Sequence, residues 1–199
     1  MRNDAVLQIL ESVGAIRKGH FALSSGRHSD TYVQCALVLQ HPLLAEQLGQ
    51  ALAGRFQDLP IDVVASPAIG GIVLGQEVAR AFALKPGARK VRAIFAERDA
   101  RGILTLRRGF SVQNNENVLV VEDVWTTGGS TVETIRVIED AGGRVVAAGA
   151  LIDRSGGKIE LAVRTEALLM QAIESYEAVA CPLCRDGGEA VRPGSRFKL

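Results

Sequence analysis

The sequence predicts an α/β fold built on a mostly parallel sheet flanked by helices. Three observations predict it. Short runs that are apolar throughout alternate with amphipathic helical segments. Those runs lack the in–out alternation of a half-exposed sheet, so both faces of each strand are expected to be covered. Glycine-rich turns follow the strands, where a parallel sheet opens its ligand crevice.

Residues 3–13 carry Val6, Ile9, Leu10 and Val13 at helical spacing. GHFALSSGRHSDTYVQ (19–34) reads as short strands around a Ser/Gly-rich turn. Residues 43–56 are helical, with Leu44, Leu48, Ala51, Leu52 and Phe56 near one face. IDVVAS (61–66) is a buried strand, PAIGG (67–71) a turn and 72–82 a second amphipathic helix. VRAIFAE (91–97) is a strand and DARGILTLRRG (99–109) a polar loop. VLVVEDV (118–124) is the most apolar strand. Residues 130–141 form a helix, for which Ser130 and Glu133 fit a capping box and Gly142–Gly143 a stop. RVVAAGALIDR (144–154) is the next strand, which makes a parallel sheet of about five strands.

At 199 residues the chain is expected to be one domain that buries about 70% of its unfolded surface. A formal net charge of +1 argues against a nucleic-acid partner. The apolar runs are too short to span a bilayer, so no membrane role is expected. The segment MRNDAVLQIL lacks a signal peptide's apolar core, and with three cysteines the expectation is a cytoplasmic protein.

The chemistry concentrates in VLVVEDVWTTGGST (118–131), where Glu122 and Asp123 close an apolar strand and hydroxyls and glycines follow. Gly128 and Gly129 allow a tight turn with exposed N–H groups, and a helix start adds partial positive charge, so residues 126–131 form a phosphate cradle. It lacks the spacing and lysine of a nucleoside triphosphatase loop. Acids beside a phosphate site suit sugar hydroxyls or a shared Mg²⁺, and a ribose 5-phosphate moiety satisfies both. The bland reading, a strand end capped by acids, accounts less well for two acids followed by six such loop residues.

The block V-V-E-D-V-W-T-T-G-G-S-T resembles the phosphoribosyl-pyrophosphate (PRPP) signature of the type I phosphoribosyltransferases, in the form carried by their orotate-using branch. The 19–34 segment is similar to that branch's F-x-L-x-S-G-x-x-S-x-x-Y and ASPAIGGIVLG (65–75) to its pyrophosphate loop, while FAERDARGILTLRRGF (95–110) sits where the family carries its mobile catalytic loop. LIDR (151–154) and CPLCRDGGEAVRPGSR (181–196) also agree, so the likeness runs along essentially the whole chain. It implies the family fold over residues 1–199, with a core of about 43–175 and a small hood formed by about 1–40 and the C-terminal tail. It implies Mg²⁺-dependent transfer of 5-phosphoribosyl from PRPP to orotate, and a homodimer whose loop 97–108 reaches the neighbouring site. Rival readings are the same transfer to another base and a PRPP-binding regulator.

Residue by residue, the resemblance places Glu122 and Asp123 on the ribose hydroxyls, with Mg²⁺ held indirectly through PRPP. Val124, Trp125, Thr126, Thr127, Gly128, Gly129 and Ser130 fall to PRPP, chiefly its 5-phosphate, and Ala68, Ile69 and Gly70 to the pyrophosphate, in a loop where the family holds a non-proline cis peptide. Arg154, Thr126, Ser25, Gly26 and Tyr32 fall to orotate, with Ser24 and Val33 in the same segment. Many members carry Arg-Lys-x-x-Lys-x-His in the catalytic loop; here Glu97-Arg98-Asp99-Ala100-Arg101 has neither lysine nor histidine. Arg98 and Arg101 are the expected catalytic residues beside Asp123, acting by charge, since arginine keeps its proton. The loop 69–71 likewise lacks the family's usual basic residue. Cys181-Pro-Leu-Cys184 has zinc-ligand spacing but supplies only two of four ligands. A plain reduced pair and a zinc site completed by a partner chain or by folding back both remain open, with a disulfide disfavoured in the cytoplasm. Trp125 is expected to pack.

Overall fold

The computed structural model describes residues 1–23, 25–85, 87 and 90–193. Ser24 and the last three residues of the tail segment 181–196 lie outside them. The chain runs α1 (Asn3–Ser12), β1 (Ile16–Ala22), β2 (His28–Val33), α2 (Ala36–Leu39), α3 (Pro42–Gly54), β3 (Val63–Pro67), α4 (Gly71–Ala83), β4 (Arg92–Arg98) and β5 (Leu104–Leu106). It continues with β6 (Asn117–Trp125), α5 (Gly129–Asp140), β7 (Arg144–Asp153), β8 (Arg164–Met170), a 3₁₀ turn (Ala178–Ala180) and α6 (Pro182–Arg185).

The main sheet has the order β5-β4-β3-β6-β7-β8. Five strands are parallel, and only β5 runs antiparallel, beside β4. The periodic elements appear where their patterns place them, within about two residues. Two strands differ from the sequence reading. The expected polar loop 99–109 contains β5, because the chain turns back at 99–103 and pairs Leu104 with Arg98. β8 is an added edge strand whose residues Arg164–Glu166 are too polar to read as buried.

The sheet divides the core in two. Val64, Leu119, Val121, Ala147 and Leu151 face a layer that includes Leu10, Leu48, Leu52, Leu74 and Val78. Val63, Ala65, Val118, Val120 and Ala148 face Ile138 of α5. Fully buried aliphatic side chains of this kind contribute about 1.5–3 kcal/mol each. Close approach is bought with glycine at Gly149, where a Cβ would lie 2.9 Å from the Phe56 ring.

α4 returns β3 to β4 on one side of the sheet, and α5 returns β6 to β7 on the other. The chain therefore leaves neighbouring strands β3 and β6 in opposite directions, which opens a crevice at their carboxyl ends. β1 and β2 form a separate hairpin. The last described segment lies against it, through bonds of His28 with Tyr176 and of Ala22 and His20 with Val191. Among the described residues no helix is long and apolar enough to cross a membrane.

Candidate active site

β6 is buried from Asn117 to Val121 and again at Trp125 and is part-exposed only at Glu122, Asp123 and Val124, so its sequence delivers the two acids to the crevice. Glu122 accepts a hydrogen bond from the Thr131 hydroxyl, which in turn accepts one from Trp125 Nε1 at 2.8 Å. Trp125 is 2% exposed. Its indole thus packs, as expected, but it also orients Glu122 through Thr131, a link sequence reasoning missed. The only advance sign was a hydroxyl one turn into the following helix.

The Asp123 carboxylate lies against the β3–α4 turn. A Cβ added at Gly70 would stand 2.5 Å from Asp123 Oδ2 and 2.6 Å from Oδ1. Only glycine leaves that space. The Ala68–Ile69 peptide preceding it is cis, and Ile69 is exposed. Burial is the main cause that raises both acids above their ordinary range, Glu122 from 4.5 to about 7 with Asp123 and Glu133 adding repulsion. Among the described residues no cation pairs with either carboxylate. Two desolvated adjacent anions of this kind suit a hard cation or a set of donated hydroxyls.

Thr126 and Thr127 lead into α5, where Gly128 takes a left-handed φ of 75° that an L side chain rarely adopts. Gly129 N donates to Thr127 Oγ1 at 3.4 Å. The expected Ser130–Glu133 capping box is absent: no side chain caps the helix, and Glu133 instead pairs with Arg98 at 2.8 Å. An ion pair with a guanidinium outcompetes a bond back to the backbone, and the N-cap residue Gly128 offers no side-chain cap.

A cleft of about 580 Å³ joins Ala68, Ile69 and Ile72 to Phe95, Glu97, Arg98, Arg107 and Arg108. The uncharged turn at 69–71 is thus faced by arginines from the β4–β5 hairpin. Glu97 engages Arg108 at 2.9 Å and Arg107 at 3.3 Å. Arg107 and Arg108 were unassigned in the sequence reading, although RR in a polar loop was visible. Arg98 also donates to the Gly102 carbonyl at 2.7 Å, which ties the hairpin tip, while Arg101 pairs with Asp99 at 3.1 Å.

Arg154 follows β7, next to the end of β6, and its N–H donates to the Trp125 carbonyl at 2.9 Å. Asp153 fixes the turn around it by accepting from Ser155 N at 2.7 Å and Gly157 N at 2.9 Å. Desolvation lowers the Arg154 pKa, and its buried Nε has no partner among the described residues. Gln171 Oε1, just past the adjacent β8, is likewise unpaired, and it too went unread in the sequence. Cys35 Sγ lies 3.8 Å from the Asp123 carbonyl; burial and Asp123 raise its pKa, while Arg154 opposes them.

The hairpin residues are placed differently. Ser25 and Gly26 form its turn, where Gly26 N bonds the Leu23 carbonyl at 2.9 Å. Tyr32 lies 5.7 Å from the Phe21 ring and 5.4 Å from the Arg17 guanidinium. Among the described residues no hydrogen bond joins these three to Arg154 or to the acid pair.

Comparisons with known proteins show the family and the fold. The phosphoribosyl transferase domain family matches residues 36–165. Orotate phosphoribosyltransferase from Pelotomaculum thermopropionicum is 52% identical, over 98% of this chain and 99% of that protein. The one from Desulforamulus reducens is 50% identical, over 98% of each. Among solved structures, Mycobacterium tuberculosis H37Rv orotate phosphoribosyltransferase superposes with a TM-score of 0.64 at 26% identity, covering 82% of this chain and 95% of its own. The chain belongs to the orotate phosphoribosyltransferase family, and its fold is that of the type I phosphoribosyltransferases.

Two predictions concern the ligand-free site. The folded protein holds the Glu122 proton more tightly than the unfolded chain, so this group's contribution to stability is full below 4.5 and is lost as pH rises through about 7. Denaturant titrations from about pH 5 to about pH 8 should show Glu122→Gln gaining about 2 kcal/mol on the unsubstituted protein, and a constant difference would refute the buried acid. Gly70→Ala should cost about 1–3 kcal/mol by the same method, because the new methyl displaces Asp123. A neutral result would show that the carboxylate moves freely.

Proposed function

We propose that this member of the family transfers the 5-phosphoribosyl group of PRPP to N1 of orotate, giving orotidine 5′-monophosphate and pyrophosphate in pyrimidine nucleotide synthesis. The observation that carries the reading is the pair of desolvated carboxylates at the end of β6, one strand from a buried guanidinium with an unpartnered Nε.

Glu122 and Asp123 accept hydrogen bonds from the ribose hydroxyls, with Thr131 holding Glu122 in place. Residues 126–130 and the uncapped start of α5 take the 5-phosphate through backbone N–H groups. Pyrophosphate lies along Ala68, Ile69 and Gly70, facing the arginines of the cleft. Arg154 presents its planar fork to the orotate carboxylate. Its unpaired donor and the unpaired Gln171 acceptor suit a base that offers both an acceptor and an N–H. The N-terminal hairpin and the C-terminal tail act as a hood over the base, which brings Ser25, Gly26 and Tyr32 toward it when substrate is bound.

The anomeric carbon develops positive charge as its bond to pyrophosphate breaks. The fixed carboxylates stabilise that charge, and the guanidinium groups stabilise the departing one. Proton donation by Arg98 or Arg101 is excluded, since neither loses its proton. The acid pair fits Mg²⁺, a hard cation that prefers oxygen ligands. Glu122 and Asp123 would hold it through the hydroxyls of PRPP, and it would neutralise charge on the leaving group. The enzyme works in the cytoplasm as a homodimer, with Arg101 at the exposed tip of the β4–β5 hairpin serving the neighbouring site.

The direct test is the loss of orotate's ultraviolet absorbance in the presence of PRPP and Mg²⁺, with reversal from orotidine 5′-monophosphate on adding pyrophosphate. Loss only in the full mixture is expected. No loss, with PRPP still bound, would point to another base. Arg154→Ala should lower kcat/KM for orotate by at least about 10²-fold with little change in PRPP affinity, and a parallel loss of both would move Arg154 out of the base site. Separately inactive Arg101→Ala and Asp123→Asn proteins, mixed and allowed to exchange subunits, should recover about a quarter of full activity if the tip acts across the dimer. No recovery, with exchange shown by mass, would place Arg101 within its own subunit.

A further inference from the structure

The C-terminal segment answers the question its cysteine pair raised. It folds back on the hairpin so that Cys181 and Cys184 meet His20 of β1 and His28 of β2. One ligand atom from each of the four lies within 4.8 Å of every other. His20 Nε2 is 2.9 Å from His28 Nδ1, 3.5 Å from Cys181 Sγ and 3.7 Å from Cys184 Sγ, and Cys184 Sγ is 3.3 Å from His28 Nδ1. In a tetrahedron with Zn–N of about 2.0–2.1 Å and Zn–S of about 2.3 Å, nitrogen–sulfur edges measure about 3.5 Å and the nitrogen–nitrogen edge about 3.3 Å. The nitrogen–sulfur separations fall on that figure, and the two nitrogens need move apart by only a few tenths of an ångström.

The surroundings favour metal over a set of hydrogen bonds. His20 Nδ1 lies 2.9 Å from the Gly188 carbonyl. Its proton belongs on that side, which turns the Nε2 lone pair toward His28 and both sulfurs. A carbonyl that fixes the ring of a ligating histidine is the usual outer partner of a zinc site. Three further groups converging on one lone pair exceed what that lone pair can accept as hydrogen bonds. Cys35, the remaining cysteine, is buried beside Asp123 and takes no part.

We propose that His20, His28, Cys181 and Cys184 bind a structural Zn²⁺ that staples the C-terminal segment to the N-terminal hairpin. Four protein ligands close the coordination sphere, so the metal holds structure and performs no chemistry. Mixed nitrogen and thiolate donors in a tetrahedron select zinc over the oxygen-seeking Mg²⁺. The two histidines lie 153 to 164 residues from the two cysteines, so the staple restrains a long loop of the unfolded chain. It also fixes the strand of residues that pairs Val191 with His20 and Ala22.

Metal analysis of protein purified reduced and without chelator should find about one zinc per chain. Cys184→Ser should lose most of it, while Cys35→Ser keeps it. Stripping the metal should lower Tm by about 10 °C, with zinc restoring it. Should Cys184→Ser fail to fold, Co²⁺ added to the stripped unsubstituted protein decides alone. A thiolate-to-cobalt charge-transfer band with strong tetrahedral d–d bands supports the site. Octahedral-type weak absorption, or no zinc and no cobalt spectrum from the reduced protein, overturns it. Neither readout depends on turnover, so the site stands or falls separately from the proposed reaction.

Discussion

The adjacency of β3 and β6 at the centre of the sheet is the constraint on which the rest depends. The two strands are paired in parallel, yet their crossover helices leave toward opposite faces. The turns that follow them must therefore separate, and the crevice between them is open by topology rather than by any one side chain. Both turns are then forced toward small residues. Gly70 leaves room for the Asp123 carboxylate, and Gly71 approaches the Val121 carbonyl so closely that a Cβ there would stand 3.1 Å away. Gly128 supplies the left-handed bend that aims the start of α5 back at the same space.

A crevice at the buried centre of a sheet is poorly hydrated, and that sets its electrostatics. Glu122 and Asp123 are both raised chiefly by desolvation, with repulsion from Asp123 a smaller cause at Glu122. Arg154, on the other side of the β6 end, is pushed the opposite way by the same burial. Charges of both signs thus stand a strand apart without neutralising one another. Such an arrangement costs stability, since desolvated groups gain most from complementary partners that the fold itself does not supply. The exposed arginines of the β4–β5 hairpin differ in kind. They are already paired with Glu97, Glu133 and Asp99 and can exchange those partners for phosphate oxygens at small cost.

Periodicity made most of the sheet and its helices legible, because β3, β6 and β7 are buried on both faces and α1, α3, α4 and α5 each bury one. β8 was not legible. Its first residues are polar, and residues 154–163, which connect it to β7, contain no helix to announce a parallel partner. β5 is too short to show a period. Within the site, Glu122, Asp123 and the glycine turns declared themselves as a contiguous motif. Gln171 did not, and Thr131, expected in the phosphate cradle, is instead buried between Trp125 and Glu122, because such roles arise from what the fold places beside a residue. The four ligands of the histidine–cysteine cluster stood as two unrelated pairs in the sequence, and only the return of the tail to the hairpin unites them.

The turn at 69–71 carries no charge, and loop 97–108 carries arginines with no lysine or histidine. The uncharged turn shares its cleft with Arg98, Arg107 and Arg108. These are carried on a hydrogen-bonded hairpin whose tip is tied by Arg98 itself. Guanidinium groups bind oxyanions through fixed forks rather than as point charges, so they reward a preorganised frame more than a lysine would. The β4–β5 pairing provides such a frame on one side of the crevice. A site that relies on charge placement without proton transfer gains most from rigid walls, because the stabilisation it offers depends on dipoles and charges that need not reorganise as the bond breaks.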